Sequence, residues 1–316
     1  MKRWLTPKFK LLLWTLLIIA SVYGSIRLYY RITDGFTISN IQSDFSHNPR
    51  WDVSPLNPEE QKELDNVISQ QFHYLGKGCQ SYVFLSEDGH YVLKLFKYQR
   101  FRTQPWLDYL SFIPAVKEYK HIRAEKKLRK LQGFFDSWKI AFEQLRPETQ
   151  LIYVHLNKSN NLNKTLTIFD KMGLEHQIAL DDTEFLIQRK AIPLCSYIDE
   201  LMQKGEVTKA KALLSRLIML ILSEYMRGIA DNDHALMQNT GVYNNYPIHI
   251  DVGQFVINDK ARDPQVYKQE LFSKTYHLRM WLKKHHPELV DDFENELRAI
   301  IGPQFSQMKP YFKPHE

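Results

Sequence analysis

The stretch Leu75-Gly76-Lys77-Gly78-Cys79-Gln80-Ser81-Tyr82-Val83-Phe84 holds two glycines one residue apart, and Lys94 follows beyond an Asp88-Gly89 turn. Glycines at that spacing let a backbone turn approach phosphate oxygens closely. A lysine on the next strand can return beneath such a turn as a fixed positive charge. Late in the chain, Asp231, Asp233 and Asn239 precede Ile248-His249-Ile250-Asp251-Val252-Gly253. Oxygen donors there suit magnesium, and with the glycine turn and Lys94 they complete a site for a nucleoside triphosphate.

The elements that must position these residues are legible from periodicity. Three strands are expected over residues 72–97, the first ending at the glycine turn and the last following the Asp-Gly hairpin. A long helix follows over about 116–145, its apolar residues Leu128, Leu131, Phe135, Trp138, Phe142 and Leu145 recurring every three or four positions. Further strands are expected at 151–156, 165–170 and 184–188. After Gln188-Arg189-Lys190-Ala191 the pattern turns helical at 196–203 and 209–227. A hairpin around Asn244-Asn245 interrupts it, and helix resumes from Pro264 to Ile301. These elements divide the chain into a sheet-bearing unit over 71–190 and a mainly helical one over 191–316.

Residues 11–26 read LLLWTLLIIASVYGSI, with no charge, between Lys8 and Lys10 on one side and Arg27 and Arg31 on the other. Sixteen such residues fall short of the roughly 20 needed to span a bilayer, but snorkelling Lys10 and Arg27, with Trp4, Tyr29 and Tyr30 at the interfaces, would extend the segment to about 11–30. A single-pass anchor is therefore expected, in contact with membrane lipid and preceded by a basic flank over 1–10. Cleavage as a signal peptide near Gly24 is the alternative. Four basic residues precede the segment and two follow it, a bias that favours export of the C-terminal domain; the side of the membrane it faces stays open. Residues 31–70, rich in Ser, Asn, Asp and Pro, are expected to act as a tether.

The chain carries a net charge of +6, of which the first 35 residues hold +5. The folded remainder is nearly neutral, which argues against a nucleic-acid partner. Cys79 and Cys195 are the only cysteines, too few for a disulfide framework or a cysteine zinc site.

In this order, the glycine turn, strand lysine, charged helix and late aspartate resemble the protein kinase-like superfamily, over roughly residues 72–255. The resemblance implies an α+β, two-lobed fold: a small antiparallel-sheet N-lobe with one long helix and a mainly helical C-lobe, here behind a transmembrane helix. It implies ATP and Mg2+ as cofactors and phosphoryl transfer to a hydroxyl acceptor, or a pseudokinase-like module that binds a protein partner. Gly76 and Gly78 match the first two glycines of the family's phosphate-covering loop, with Ser81 in place of the third. Val83 would lie under the adenine and Gln188 beside the nucleotide at the hinge. Lys94 matches the phosphate-contacting lysine, Glu125 the helix glutamate that pairs with it, with Glu118 second, and Asn239 and Asp251 the metal ligands. Asp233 would orient the acceptor hydroxyl, but it precedes Asn239 by six positions where the family has five. Asp231 competes for the role. Only about ten residues separate Gly253 from the helix opening at Asp263-Pro264, and no Ala-Pro-Glu follows. The segment with which protein kinases hold an extended peptide is nearly absent, which disfavours a conventional kinase acting on many proteins.

Overall fold

The computed structural model describes residues 7–312. Lys2, Arg3 and Trp4 of the basic flank lie outside the described residues. The chain opens with α1, Pro7–Thr33, a helix of 27 residues and hence ~40 Å long, about a bilayer with its headgroup regions. Its most apolar window has mean hydropathy 1.8 and none of it is buried against the rest of the protein. The helix is long and apolar enough to cross a membrane.

Two helices follow, α2 (Ile38–Ile41) and α3 (Pro58–Ile68). The start of α3 is fixed by Asn57, whose side chain accepts from the Glu59 and Glu60 amides while Glu60 bonds back to the Asn57 amide. The region expected as a tether does not stand free. Phe36, Ile41, Trp51, Leu64 and Val67 are buried, Phe36 packing edge-on against Tyr82 and Phe84 and Trp51 against Phe135. Its polar and proline-rich composition hid apolar residues spaced too widely to show a period.

The next elements are β1 (Phe72–Lys77), β2 (Ser81–Ser86), β3 (Tyr91–Phe96), α4 (Trp106–Tyr109), α5 (Pro114–Gln144), α6 (Arg146–Thr149), β4 (Leu151–His155), β5 (Thr165–Phe169), β6 (Glu175–Ala179) and β7 (Phe185–Arg189). Their strands form one sheet in the order β4-β7-β3-β2-β1-β5-β6. The sheet is mixed where an antiparallel one was expected, because β5 pairs with β1 in parallel. Strand β6 was not foreseen: it pairs with β5 at the sheet's edge and buries only Ile178, so it shows little alternation of apolar residues.

The chain then runs through β8 (Ile192–Pro193), α7 (Leu194–Gln203), α8 (Val207–Met226), β9 (Ile229–Asp231), α9 (Leu236–Asn239), β10 (Thr240–Tyr243), β11 (Tyr246–His249), β12 (Phe255–Ile257), α10 (Pro264–His285) and α11 (Val290–Ile301). The β10–β11 turn has Asn244 and Asn245 at φ 49° and 65°, the left-handed pair that suits a two-residue hairpin. The helical part has its own core, in which Leu213, Leu217 and Ile221 of α8 meet Leu271, Leu278 and Leu297.

Helix α5 joins the two parts. Leu131, Phe135, Trp138 and Phe142 share a cluster with Phe96 and Leu186 of the sheet and with Ile229, Val252 and Phe255 from the helical part. Burial of the helix begins at Leu131; Leu128, expected on the same stripe, is 43% exposed.

Candidate active site

Strand register places the sheet's contribution. Gly76 pairs with Val83, Val83 with Lys94, and Lys94 with Leu186, so Gly76, Val83 and Lys94 lie on one face. An irregularity between Tyr74 and Gly76 bends β1 just before the turn. The turn is closed by the Gly78 amide bonding to the Ser81 carbonyl at 2.9 Å and by Lys97 donating to the Gly78 carbonyl at 2.6 Å. Neither Gly76 nor Gly78 has a positive φ. A Cβ at Gly76 would meet nothing within 4 Å, and at Gly78 only Ser81, at 3.9 Å. The fold itself demands neither glycine, and the space beside Gly76 is open.

Lys94, two strands along on the same face, is buried. Its ammonium donates to Gln188 Oε1 at 2.9 Å and to the Ile250 carbonyl, with the Trp138 ring 5.6 Å away. The Gln188 amide is held from its other side: Nε2 donates to the Thr149 carbonyl at 2.5 Å and the His249 carbonyl at 2.7 Å. With both its donors committed to carbonyls, the side chain can present only oxygen to Lys94. Burial pushes the Lys94 ammonium down to about 8, against the pull of Asp251.

Asp251 lies two residues beyond the end of β11. Burial pushes its carboxyl above the usual range; Lys94 opposes this, while Asp233 and then Asp231 push it further up. The Ile250 and Asp251 amides both approach the Asn239 carbonyl, at 2.7 and 3.4 Å, which brings the buried Asn239 alongside Asp251. Val252 and Phe255 are clamped to α5 by one hydroxyl: Ser137 donates to the Val252 carbonyl and accepts from the Phe255 amide. Gly253 passes so close to α5 that a Cβ there would lie 2.6 Å from the Phe134 ring.

The two competing aspartates separate in structure. Asp231 is buried and ion-paired to the buried Lys274 at 2.6 Å, and it accepts the Asp233 amide at 3.0 Å. Asp233 is more open: one oxygen caps the Ala235 amide at 2.9 Å and the other faces Gln254 at 3.4 Å. Asp231 therefore braces the loop, and Asp233 is the carboxylate with room for another partner. Beside it lies a cavity of about 510 Å³ bordered by Gln80, Arg100, Lys127, Lys130, Gly253 and Gln254.

No family model and no curated protein matches the chain. Among solved structures it is similar to the bifunctional kinase-methyltransferase WbdD, at 15% identity and TM-score 0.34, over 73% of this chain and 45% of WbdD. It is also similar to APH(2'')-IIa in a ternary complex with streptomycin and ATP, at 14% identity and TM-score 0.31, over 81% of this chain and 93% of that one. A third is Rv3197 of Mycobacterium tuberculosis bound to erythromycin, at 13% identity and TM-score 0.30, over 90% and 75%. The chain spans less than half the length of WbdD, and likenesses at these scores carry no weight for its chemistry.

The structure brings Lys94, Gln188, Asn239 and Asp251 together, with Gly76, Ser81 and Val83 in the adjoining hairpin. It does not bring Glu125 to Lys94. Glu125 is exposed, 3.8 Å from His121 on its own helix, and Glu118 is exposed as well. The physical reason is the late start of α5's buried face: no residue of α5 before Leu131 is buried, and the α5 side chain beside Lys94 is Trp138. Three contributors were missed in the sequence. Trp138 was read only as part of the apolar stripe of α5, and Ser137 beside it carried no signal of its own. The buried pair of His249 and Glu224, 2.6 Å apart, underpins β11; burial alone would lower the His249 pKa, but Glu224 raises it. Nothing in local sequence pairs residues so distant.

As to metal, no cluster of three or more His, Cys, Asp or Glu suited to an ion occurs among the described residues. One carboxylate and one amide oxygen are nonetheless a set that magnesium uses when phosphates and water complete its shell. Asn239 and Asp251 fit that requirement by residue type and proximity.

Proposed function

We propose that this chain is a membrane-anchored, ATP-dependent phosphotransferase with a two-lobed, protein kinase-like fold. The observation that carries it is the ladder of Gly76, Val83 and Lys94 under an open turn, with the Lys94 ammonium reaching the carbonyl that directly precedes Asp251. A phosphate chain laid under the turn meets backbone at Gly76 and Gly78 and a cation at Lys94. Val83 offers an apolar seat for the base. Asn239 and Asp251 would hold magnesium, which supplies neutralising charge to the phosphates. Asp233, the more open carboxylate, orients the acceptor hydroxyl. The adjoining cavity carries three cationic side chains, which favours an acceptor that is itself anionic. Burial matters here because a fixed charge outside water stabilises the transferring group far more than a solvated one.

Transfer of this kind depends on positioning and charge neutralisation, so losing a metal ligand should cost orders of magnitude in rate. Asp251→Asn is expected to abolish single-turnover transfer from magnesium-ATP, to acceptor or to water. Equal turnover by wild type and variant, purified side by side, would remove Asp251 from the chemistry. A second reading, a pseudokinase-like module tethered to the membrane, is favoured by one observation: Lys94 has no helix glutamate and is tied instead to Gln188 and a carbonyl. Nucleotide binding without turnover in the wild type would select it.

A further inference from the structure

The junction between α1 and the sheet is built around one carboxylate. Asp34, the first residue after α1, bonds Lys77 at 2.7 Å, Lys171 at 3.0 Å and the Tyr74 hydroxyl at 2.9 Å. Lys171 also donates to the Arg31 carbonyl at 2.9 Å. A cleft of about 620 Å³ opens here, lined by Arg27, Arg31, Asp34, Lys77 and Lys171. Four cations surround one carboxylate, so the cleft is strongly positive after Asp34 has taken its share. The Arg27 side chain lies 6.0 Å from the Tyr23 ring, on its own helix, and among the described residues neither arginine side chain bonds an acid.

Placement supplies the partner. Since α1 runs unbroken to Thr33, Arg27 and Arg31 sit within about 10 Å of the end of the uncharged stretch, at headgroup depth if α1 crosses a bilayer. The β5–β6 turn brings Met172 and Leu174, 52% and 54% exposed, beside Lys171 on the same side. An apolar tip flanked by cations is suited to an anionic leaflet.

We infer that this cleft is a binding site for the phosphate headgroup of an anionic phospholipid, with the β5–β6 tip dipping into the same leaflet. The inference rests on α1 crossing the membrane and not on phosphoryl transfer. Each surface-level cation contributes about 1 kcal/mol to such attraction, so removing two corresponds to roughly a tenfold to thirtyfold loss.

The test uses the full chain in mild detergent, delipidated, with phosphatidylglycerol or phosphatidylcholine added back and retained lipid counted by native mass spectrometry. The wild type should retain phosphatidylglycerol over phosphatidylcholine, and Arg27→Gln with Arg31→Gln should lose that preference at least tenfold. Met172→Ser with Leu174→Ser, far from both arginines in sequence, should weaken retention without altering the headgroup preference. Equal retention of the two lipids by wild type, or an undiminished preference in the arginine variant, would overturn the site. Displacement of the lipid by millimolar inorganic phosphate would make it a free-anion site and overturn the lipid assignment. Alkaline carbonate extraction separates the two levels: release of the wild type from membranes defeats the anchor itself, whereas retention without headgroup preference defeats only the cleft.

Discussion

Lys94 is buried, and its nearest acid is too far for a direct ion pair among the contacts described. Its depression from 10.5 to about 8 corresponds to about 3 kcal/mol against the charged form, at 1.36 kcal/mol per unit. Against this stand two charge-assisted bonds, to Gln188 and the Ile250 carbonyl, worth roughly 1.5–3 kcal/mol each. The bonds together amount to roughly 3–6 kcal/mol, so Lys94→Met should cost between nothing and about 3 kcal/mol. In the double variant with Asp251→Asn the isolated carboxylate is also neutralised, and stability should approach or equal that of wild type, because neither charge then has to be desolvated. The assay is thermal unfolding of the full chain in detergent, with and without magnesium-ATP. At nucleotide one hundred times its Kd, wild type should gain about 2.7 kcal/mol and both variants nothing. A loss above about 3 kcal/mol in the double variant would show that Lys94 and Asp251 hold the fold together, and the catalytic reasoning would fall with it.

Gly78→Ala should leave the melting temperature of the free protein unchanged, since the added Cβ meets nothing closer than 3.9 Å, yet reduce the magnesium-ATP shift; an unaltered shift would take phosphates away from this turn. Ser137→Ala removes a buried hydroxyl that both donates and accepts, and should cost about 2–4 kcal/mol in a melting experiment, by leaving the Val252 carbonyl and Phe255 amide unsatisfied. Burial raises the Asp34 carboxyl, but bonds from Lys77, Lys171 and Tyr74 outweigh it and hold the pKa at about 2, below the ordinary 3.8. The sign follows: the ionised form stabilises the fold above about pH 4, and that contribution is lost as pH falls towards 2. Asp34→Asn should therefore flatten the decline in melting temperature over that window, and an unchanged decline would mean the junction does not hold Asp34 as described.

Much of the sheet was legible because its chemistry is local. The glycine turn, the Asp88-Gly89 hairpin and the Asn244-Asn245 turn each announce themselves by residues that tolerate special backbone angles, and β1 to β3 follow from alternation between them. Helix α5 was legible in extent, but its period gave the face and not the depth at which the sheet meets it. That is why Glu125 was placed at Lys94 when Trp138 stands there. The contacts that define the site join residues far apart in the chain, as with Gln188 reaching both Thr149 and His249, or Ser137 reaching Val252. No periodic signal encodes such pairings. The segment after α1 was misjudged for the opposite reason: its composition is that of a linker, and only a few apolar anchors, Phe36 and Trp51 among them, fasten it.

Those anchors alter what the N-terminal helix does for the site. Lys77 stands between Gly76 and Gly78, and its charge is held by Asp34, one residue beyond α1. The Gly35 carbonyl accepts the Tyr82 hydroxyl at 2.5 Å, and Phe36 packs on Tyr82 and Phe84 in β2. Both strands of the glycine hairpin are thus fastened to the first three residues after the helix, by an ion pair on β1 and by packing on β2. A flexible tether would leave the sheet free to move relative to α1. Here the hairpin is fastened to the end of α1, so under the proposed anchoring and phosphoryl transfer an acceptor confined to the same membrane would meet the site from one direction. The orientation is set by Asp34 and Phe36 together, and losing the charge alone should loosen β1 while β2 stays docked.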